Sequence, residues 1–127
     1  MLFRSGYLDA DGELYVSGRV DDMIISGGEN IHPVEVEGVL ARLAGVRDVA
    51  VVGESDPRWG ERVVAFIVTS NAGLTAEAID RHCRESADLA SFKRPRRVVF
   101  VESIPKTASG KILRRLLRDG QFTEITQ

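Results

Sequence analysis

The run Lys106-Thr107-Ala108-Ser109-Gly110-Lys111 places two hydroxyls and a glycine ahead of an ammonium. A Thr/Ser/Gly loop of this kind can deliver a flexible positive charge to an anionic reacting centre, and Lys111 is the group that would do it. It is not a nucleotide P-loop, because Pro105 stands where that motif needs a glycine and Ile112 where it needs Ser or Thr. A second cationic stretch, Phe92-Lys93-Arg94-Pro95-Arg96-Arg97, resembles an anion-binding ledge. Its guanidinium forks match phosphate oxygens, and Phe92 offers a flat face beside them. Asp56-Pro57-Arg58-Trp59-Gly60-Glu61 sets the only tryptophan in a charged loop, either as a lid on the sheet or as a stacking surface for a ligand. Gly27-Gly28 permits positive φ and close approach of a ligand, or a plain turn. Arg19, Asp21 and Asp22 stand at a junction where a few residues could absorb a large backbone rotation, or simply form a solvated turn. His32 and His82 have no partner set for a triad or a metal site and read as structural or surface residues.

These groups need elements to hold them. Tyr7-Leu8-Asp9 and Glu13 to Ser17 flank Ala10-Asp11-Gly12, which predicts a short β-hairpin. Met23-Ile24-Ile25 reads as a strand and Ser26 to Asn30 as an exposed loop. Pro33 starts a helix to about Ala44, with Val34, Val36 or Glu37, Val39, Leu40 and Leu43 at helical spacing and Gly45 to end it. Val46 to Val52, Arg62 to Thr69 and Arg97 to Val101 are predicted strands of one sheet, and Thr75 caps a helix through Ser86 with Ala78, Ile79 and Cys83 inward. A last amphipathic helix is expected from Lys111, with Ile112, Leu113, Leu116 and Leu117 on one side and Arg114, Arg115 and Arg118 on the other. The order predicts an α+β domain: a small mixed β-sheet flanked by helices and preceded by a short β-hairpin.

The 127 residues are 43% hydrophobic and 28% charged with a formal net charge of −2, which excludes collagen, a disordered tail and a disulfide scaffold and leaves one compact domain. The charge is unevenly spread: Phe92 to Arg118 holds nine Lys and Arg against the single acid Glu102, so the basic end calls for an anionic partner. Nucleic acid is disfavoured, since only one aromatic lies among those charges. Cys83 is the single cysteine and lies without a ligand set, so neither a disulfide nor a metal site is expected. No stretch of eighteen apolar residues and no leader-like start are present, and a cytoplasmic location with no membrane span is the expectation.

Taken together, G-R-V-D-D-M-I-I-S-G-G-E-N-I-H-P-V-E-V-E at Gly18 to Glu37, D-P-R-W-G-E at Asp56 to Glu61, F-K-R-P at Phe92 to Pro95 and P-K-T-A-S-G-K-I at Pro105 to Ile112 resemble one family. It is the C-terminal domain of adenylate-forming enzymes, the superfamily of acyl-CoA synthetases, aryl-CoA ligases, peptide-synthetase adenylation domains and luciferases. Within it the chain is similar to bacterial fatty acyl- and aryl-CoA ligases of the 4-chlorobenzoate type.

The resemblance implies a two-step ligation in which a carboxylic acid and ATP form an acyl-adenylate and pyrophosphate, and the thiol of CoA then displaces AMP. It further implies that Lys111 serves adenylation, that Arg19 reaches the adenylate, and that Asp21 is the hinge about which the small domain rotates between the steps. Gly27, Gly28 and Glu29 would line the pantetheine arm, and Trp59, Phe92 and Arg94 would hold the nucleotide end of CoA. The implied cofactors are ATP with Mg2+ and CoA in the full-length enzyme, with none tightly bound to this chain and no metal ligands on it. The implied partner is a large N-terminal adenylating domain, so that the chain is expected to be a fragment inactive alone. Residues 1–5 are set apart as a candidate non-native start, with 6–18 as the hairpin before the hinge, 19–120 as the family domain and 121–127 as a tail. The family's T-G-D segment is not kept before the hairpin, and no acid stands where its ribose ligand belongs. A stand-alone CoA- or anion-binding module acting in trans is the alternative.

Overall fold

The computed structural model describes residues 22–71 and 73–125. Arg19, Asp21 and the hairpin expected over 6–18 lie outside the described residues.

Two long strands build the frame because their residues are apolar on both sides. Strands β3 (Val46–Asp56) and β4 (Gly60–Thr69) pair antiparallel from Val46↔Thr69 to Asp56↔Gly60, with a register shift between Val46 and Asp48. Alternate residues face opposite ways, so Val49, Val51, Val63, Ala65 and Ile67 enter one core cluster and Ala50, Val52, Val64 and Phe66 the other. A sheet covered on both faces reads as a continuous hydrophobic run, which is why both strands stand out in the sequence.

The first face is covered by helices α1 (Pro33–Ala41) and α2 (Ala76–Glu85). Pro33 suits the first turn of α1, where no amide hydrogen is needed, and Val36, Val39 and Leu40 are its buried stripe. The Thr75 side chain caps α2 by accepting the Ala78 amide hydrogen, and Ile79 and Cys83 are buried beneath it. His82 Nε2 lies 2.7 Å from the Val39 carbonyl and ties α2 to α1, a structural role. Burial pushes the Cys83 thiol up to about 11, so it stays protonated and takes part in the core as a small apolar group.

The second face is covered by α3 (Arg114–Arg118) through Leu117, with Ile104, Ile112 and Phe122 packed around it. Strand β5 (Arg97–Phe100) runs parallel to β4, from Val64↔Arg97 to Ile67↔Phe100, so the sheet is mixed. Residues 121–125 return to it: Phe122 meets Phe66 edge-on at 4.9 Å and the Ile125 amide donates to the Phe100 carbonyl.

Several element boundaries differ from expectation, four of them for reasons visible in the structure. The segment read as an exposed loop after β1 (Ile24–Ser26) is a tight hairpin, with Gly27 and Gly28 as its turn and Glu29–Ile31 as β2. Their φ values of 58° and 84° are those a two-residue hairpin turn requires, and fully buried Ile31 pins the strand. Helix α1 stops at Ala41 instead of Ala44, because the Arg42 and Leu43 amides bond three residues back and tighten the last turn. Strand β3 continues to Asp56, beyond Val52, along an unbroken ladder with β4. Helix α3 begins at Arg114 instead of Lys111, because the preceding residues close a loop of their own.

Candidate functional site

That loop presents Lys111. Lys106 and Ile112 form an antiparallel bridge at its base, the Thr107 amide donates to the Lys111 carbonyl at 2.8 Å, and the Gly110 amide donates to the Thr107 carbonyl at 2.9 Å. Gly110 sits at φ 92°, in the left-handed region that glycine adopts without strain. The Thr107 hydroxyl accepts the Lys111 amide at 3.1 Å and shares a hydrogen bond with the Ser109 hydroxyl. Backbone bonds thus fix the root of Lys111 while the side chain stands exposed, and among the described residues it has no carboxylate partner. Its neighbour Lys106 is tied to Asp48 at 2.6 Å and is not available in the same way.

Arg114, three residues further on, anchors this loop from beneath. Its guanidinium is 10% exposed and meets both Glu37 oxygens at 2.7 Å, the Val51 carbonyl at 3.1 Å and Asp22 at 3.4 Å. Glu37 also accepts the Val51 amide hydrogen at 2.8 Å. Four separate parts of the chain, the segment before β1, α1, β3 and α3, therefore converge on one arginine. The helical pattern sets Arg114 opposite the apolar side with Arg115 and Arg118, and the structure places it in this cluster instead. An acid on the apolar stripe of α1 was the signal that pointed there.

Burial holds the Glu37 carboxyl above its ordinary value of 4.5, outweighing the pull of Arg114 and the Val51 amide. The folded state then binds the proton more tightly than the unfolded chain, so Glu37's contribution to stability falls as pH rises above about 4.5. Urea unfolding at a series of pH values is expected to show a downward slope between about pH 4.5 and 7 for the parent relative to Glu37→Gln, whose side chain does not titrate. Parallel curves for the two would show that Glu37 does not titrate in this way.

The other candidates gather at the opposite edge of β4. The Gly27 amide donates to the Trp59 carbonyl at 2.8 Å, and a Cβ at Gly27 would lie 3.2 Å from the indole, so the glycine turn rests directly on Trp59. The Trp59 ring is half-buried and carries two cations, with the Arg58 and Arg96 guanidinium carbons each 5.1 Å from its centroid. Trp59 is thus covered on one side by the glycine turn, with two guanidinium groups beside its ring. Arg96 also borders a cavity of about 400 Å³ between α2 and β5, with Asp80, Arg81 and Arg84.

Phe92 is 39% exposed on the turn Ser91–Lys93, with Lys93 Nζ 5.5 Å from its ring. The expected ledge is not one continuous cationic surface. Lys93 is bound by Glu35 at 2.8 Å, Arg97 by Glu54 at 2.6 Å, and Arg94 faces Asp80 at 3.8 Å. Among the described residues Arg58 and Arg96 have no such carboxylate, and both lie against the Trp59 ring. The structure therefore brings Gly27, Gly28 and Trp59 together, leaves Phe92 and Arg94 on a separate turn, and carries Lys111 on the loop between β5 and α3. Among the described residues no group of three His, Cys, Asp or Glu could hold a metal ion, and no helix is long and apolar enough to cross a membrane.

Comparison with known proteins agrees with this architecture. Residues 35–111 match the family model of the AMP-binding enzyme C-terminal domain. The chain is 57% identical over 110 residues to a 4-chlorobenzoate–CoA ligase of Pseudomonas, covering 86% of this chain and 21% of that protein. The Mycobacterium tuberculosis fatty acyl CoA synthetase superposes with a TM-score of 0.76 at 42% identity, over 89% of this chain and 22% of the other. The o-succinylbenzoate CoA synthetase of Bacillus subtilis, solved in complex with its acyl-adenylate intermediate, superposes with a TM-score of 0.76 at 40% identity, over 94% of this chain and 24% of that one. The chain spans about a fifth of the length of the curated relatives it matches. With the family model covering more than half of its residues, the chain belongs to the AMP-binding enzyme C-terminal domain family.

Proposed function

We propose that the chain is the mobile small domain of an ATP-dependent acyl-CoA or aryl-CoA ligase and works joined to a large adenylating domain, in the cytoplasm. The observation that carries this reading is an exposed Lys111, fixed at its root and with no carboxylate partner among the described residues, on the family's loop. An ammonium so held can bridge the substrate carboxylate and the phosphate oxygens of ATP as negative charge converges, without reorganising solvent. The glycine turn on Trp59, with Arg58 and Arg96 around the ring, supplies the complementary surface: no side chains in the path of a narrow thiol arm, and cations for a nucleotide end. Phe92 and Arg94 extend that surface on the neighbouring turn. Arg19 is assigned to the adenylate and Asp21 to the hinge, next to Asp22 in the Arg114 cluster. Mg2+ is assigned, with ATP, to the large domain.

A chimera with the large domain of the Pseudomonas 4-chlorobenzoate–CoA ligase tests the assignment. It is expected to release pyrophosphate from 4-chlorobenzoate and ATP, and to form the thioester once CoA is added. The 127-residue chain by itself should do neither. Acyl-adenylate formed by the isolated chain, or a folded chimera without pyrophosphate release, would count against this function.

A further inference from the structure

The D-P-R-W-G-E segment ends on Glu61, a residue that the reading above does not use. Strand β1 pairs with β4 only at Ser26↔Gly60, and Gly60, at φ 87°, turns the chain away from a regular ladder there. An antiparallel continuation from that pair would set Ile25 against Glu61 backbone to backbone. Here the Glu61 side chain takes over: its Oε1 accepts the Ile25 amide hydrogen at 2.8 Å. The carboxylate sits over Gly53 of β3, where an added Cβ would lie 3.1 Å from both Cδ and Oε2 of Glu61 and 3.2 Å from Ile24. The missing side chain of Gly53 is the seat of the carboxylate. Beside the Ser26↔Gly60 bridge, the Glu61 carboxylate at Ile25 and the Trp59 carbonyl at Gly27 thus hold β1 on either side of Ser26.

We propose that Glu61 is the positioning residue of the Gly27–Gly28 turn, its carboxylate clamping β1 so that the turn is held against Trp59. This rests on the reading that the turn lines the thiol arm of CoA, and it adds a residue that acts through the turn without touching the ligand. A charge-assisted bond to an amide is stronger than a neutral one, and its loss frees one end of a three-residue strand. Glu61→Gln keeps an oxygen acceptor in the same place, whereas Glu61→Ala removes it.

In the 127-residue chain, E61A is expected to speed amide exchange at Ile25 by about ten- to a hundredfold and to shift Trp59 fluorescence. E61Q should retain most of the protection and the parent emission. Gly53→Ala, which crowds the carboxylate from below, should reproduce both signatures and serves as the second variant if E61A does not fold. Exchange and emission in E61A equal to the parent, or E61Q as damaging as E61A, would overturn the proposal. In the chimera, E61A should raise KM for CoA about tenfold while KM for ATP changes less than about twofold. An unchanged KM for CoA would reduce Glu61 to a strut and also overturn it. A chimera inactive with Glu61 intact speaks against the ligase reading, and the exchange rates then decide the role of Glu61 on their own.

Discussion

Replacing Lys111 with alanine in the chimera is expected to slow pyrophosphate release by about two to three orders of magnitude, the usual loss when one preorganised electrostatic donor is removed. The fold should be unaffected, because the loop is held by backbone bonds, the Thr107 hydroxyl and the Lys106↔Ile112 bridge, none of which uses the ammonium. The thiol step, started from preformed acyl-adenylate, should fall far less, because the exposed lysine and the glycine turn stand on different elements. Lys111→Arg is a sharper control than alanine: it keeps the charge but replaces a compact ammonium with a planar fork, so recovery should be partial. Pyrophosphate release at the parent rate in the alanine variant would remove Lys111 from the reaction.

The loop that carries Lys111 stands out in the sequence by its Thr, Ser, Gly and Lys composition, but its shape does not. Lys111 to Arg118 has helical periodicity, and periodicity alone cannot register that Lys106 and Ile112 bridge and delay the helix to Arg114. Strands β3 and β4 were legible because burial on both faces leaves long β-branched runs, while β2 was hidden because Glu29 and Asn30 are exposed and only Ile31 marks it. The basic stretch after Phe92 was legible as charge, and its partners were not. Glu35, Asp80 and Glu54, which bind Lys93, Arg94 and Arg97, are distant in sequence and become neighbours only when α1, α2 and β3 pack. Arg96 differs because it turns to Trp59 instead of a carboxylate. The same limit applies to Glu61: its side chain takes the place of a backbone partner 36 residues away, and the D-P-R-W-G-E segment carries no local signal of that.

Arg114→Leu is expected to destabilise the 127-residue chain by about 3–5 kcal/mol, the cost of leaving a buried charge without its partner. That is a large part of the stability of a domain this size. The change removes both Glu37 contacts, the bond to the Val51 carbonyl and the contact with Asp22, and it leaves two carboxylates facing a site with no cation. Glu37→Leu with Arg114→Leu should recover most of the loss, since a buried ion pair replaced by apolar groups of similar volume is often close to neutral. The deficit of Arg114→Leu should also depend on pH. Glu37 already has a raised pKa, and removing Arg114 takes away one of the groups that lowers it, so the variant keeps losing stability with pH after the parent has levelled off, and the deficit should be larger at neutral pH than near pH 4.5. Urea unfolding of the four members of the cycle at two pH values reads all of this at once. A deficit of the same size at both pH values, or a double variant as unstable as the single, would locate the effect in lost packing instead of the charge cluster. If the cycle behaves as expected, the cluster is better understood as register than as stability. An apolar core of equal volume would hold the domain together as well, but it would not specify one orientation for Asp22, α1, β3 and the start of α3 about a single guanidinium. The directional bonds of Arg114 do so, and they set the root of the Lys111 loop relative to Asp22, next to the residue assigned as the hinge.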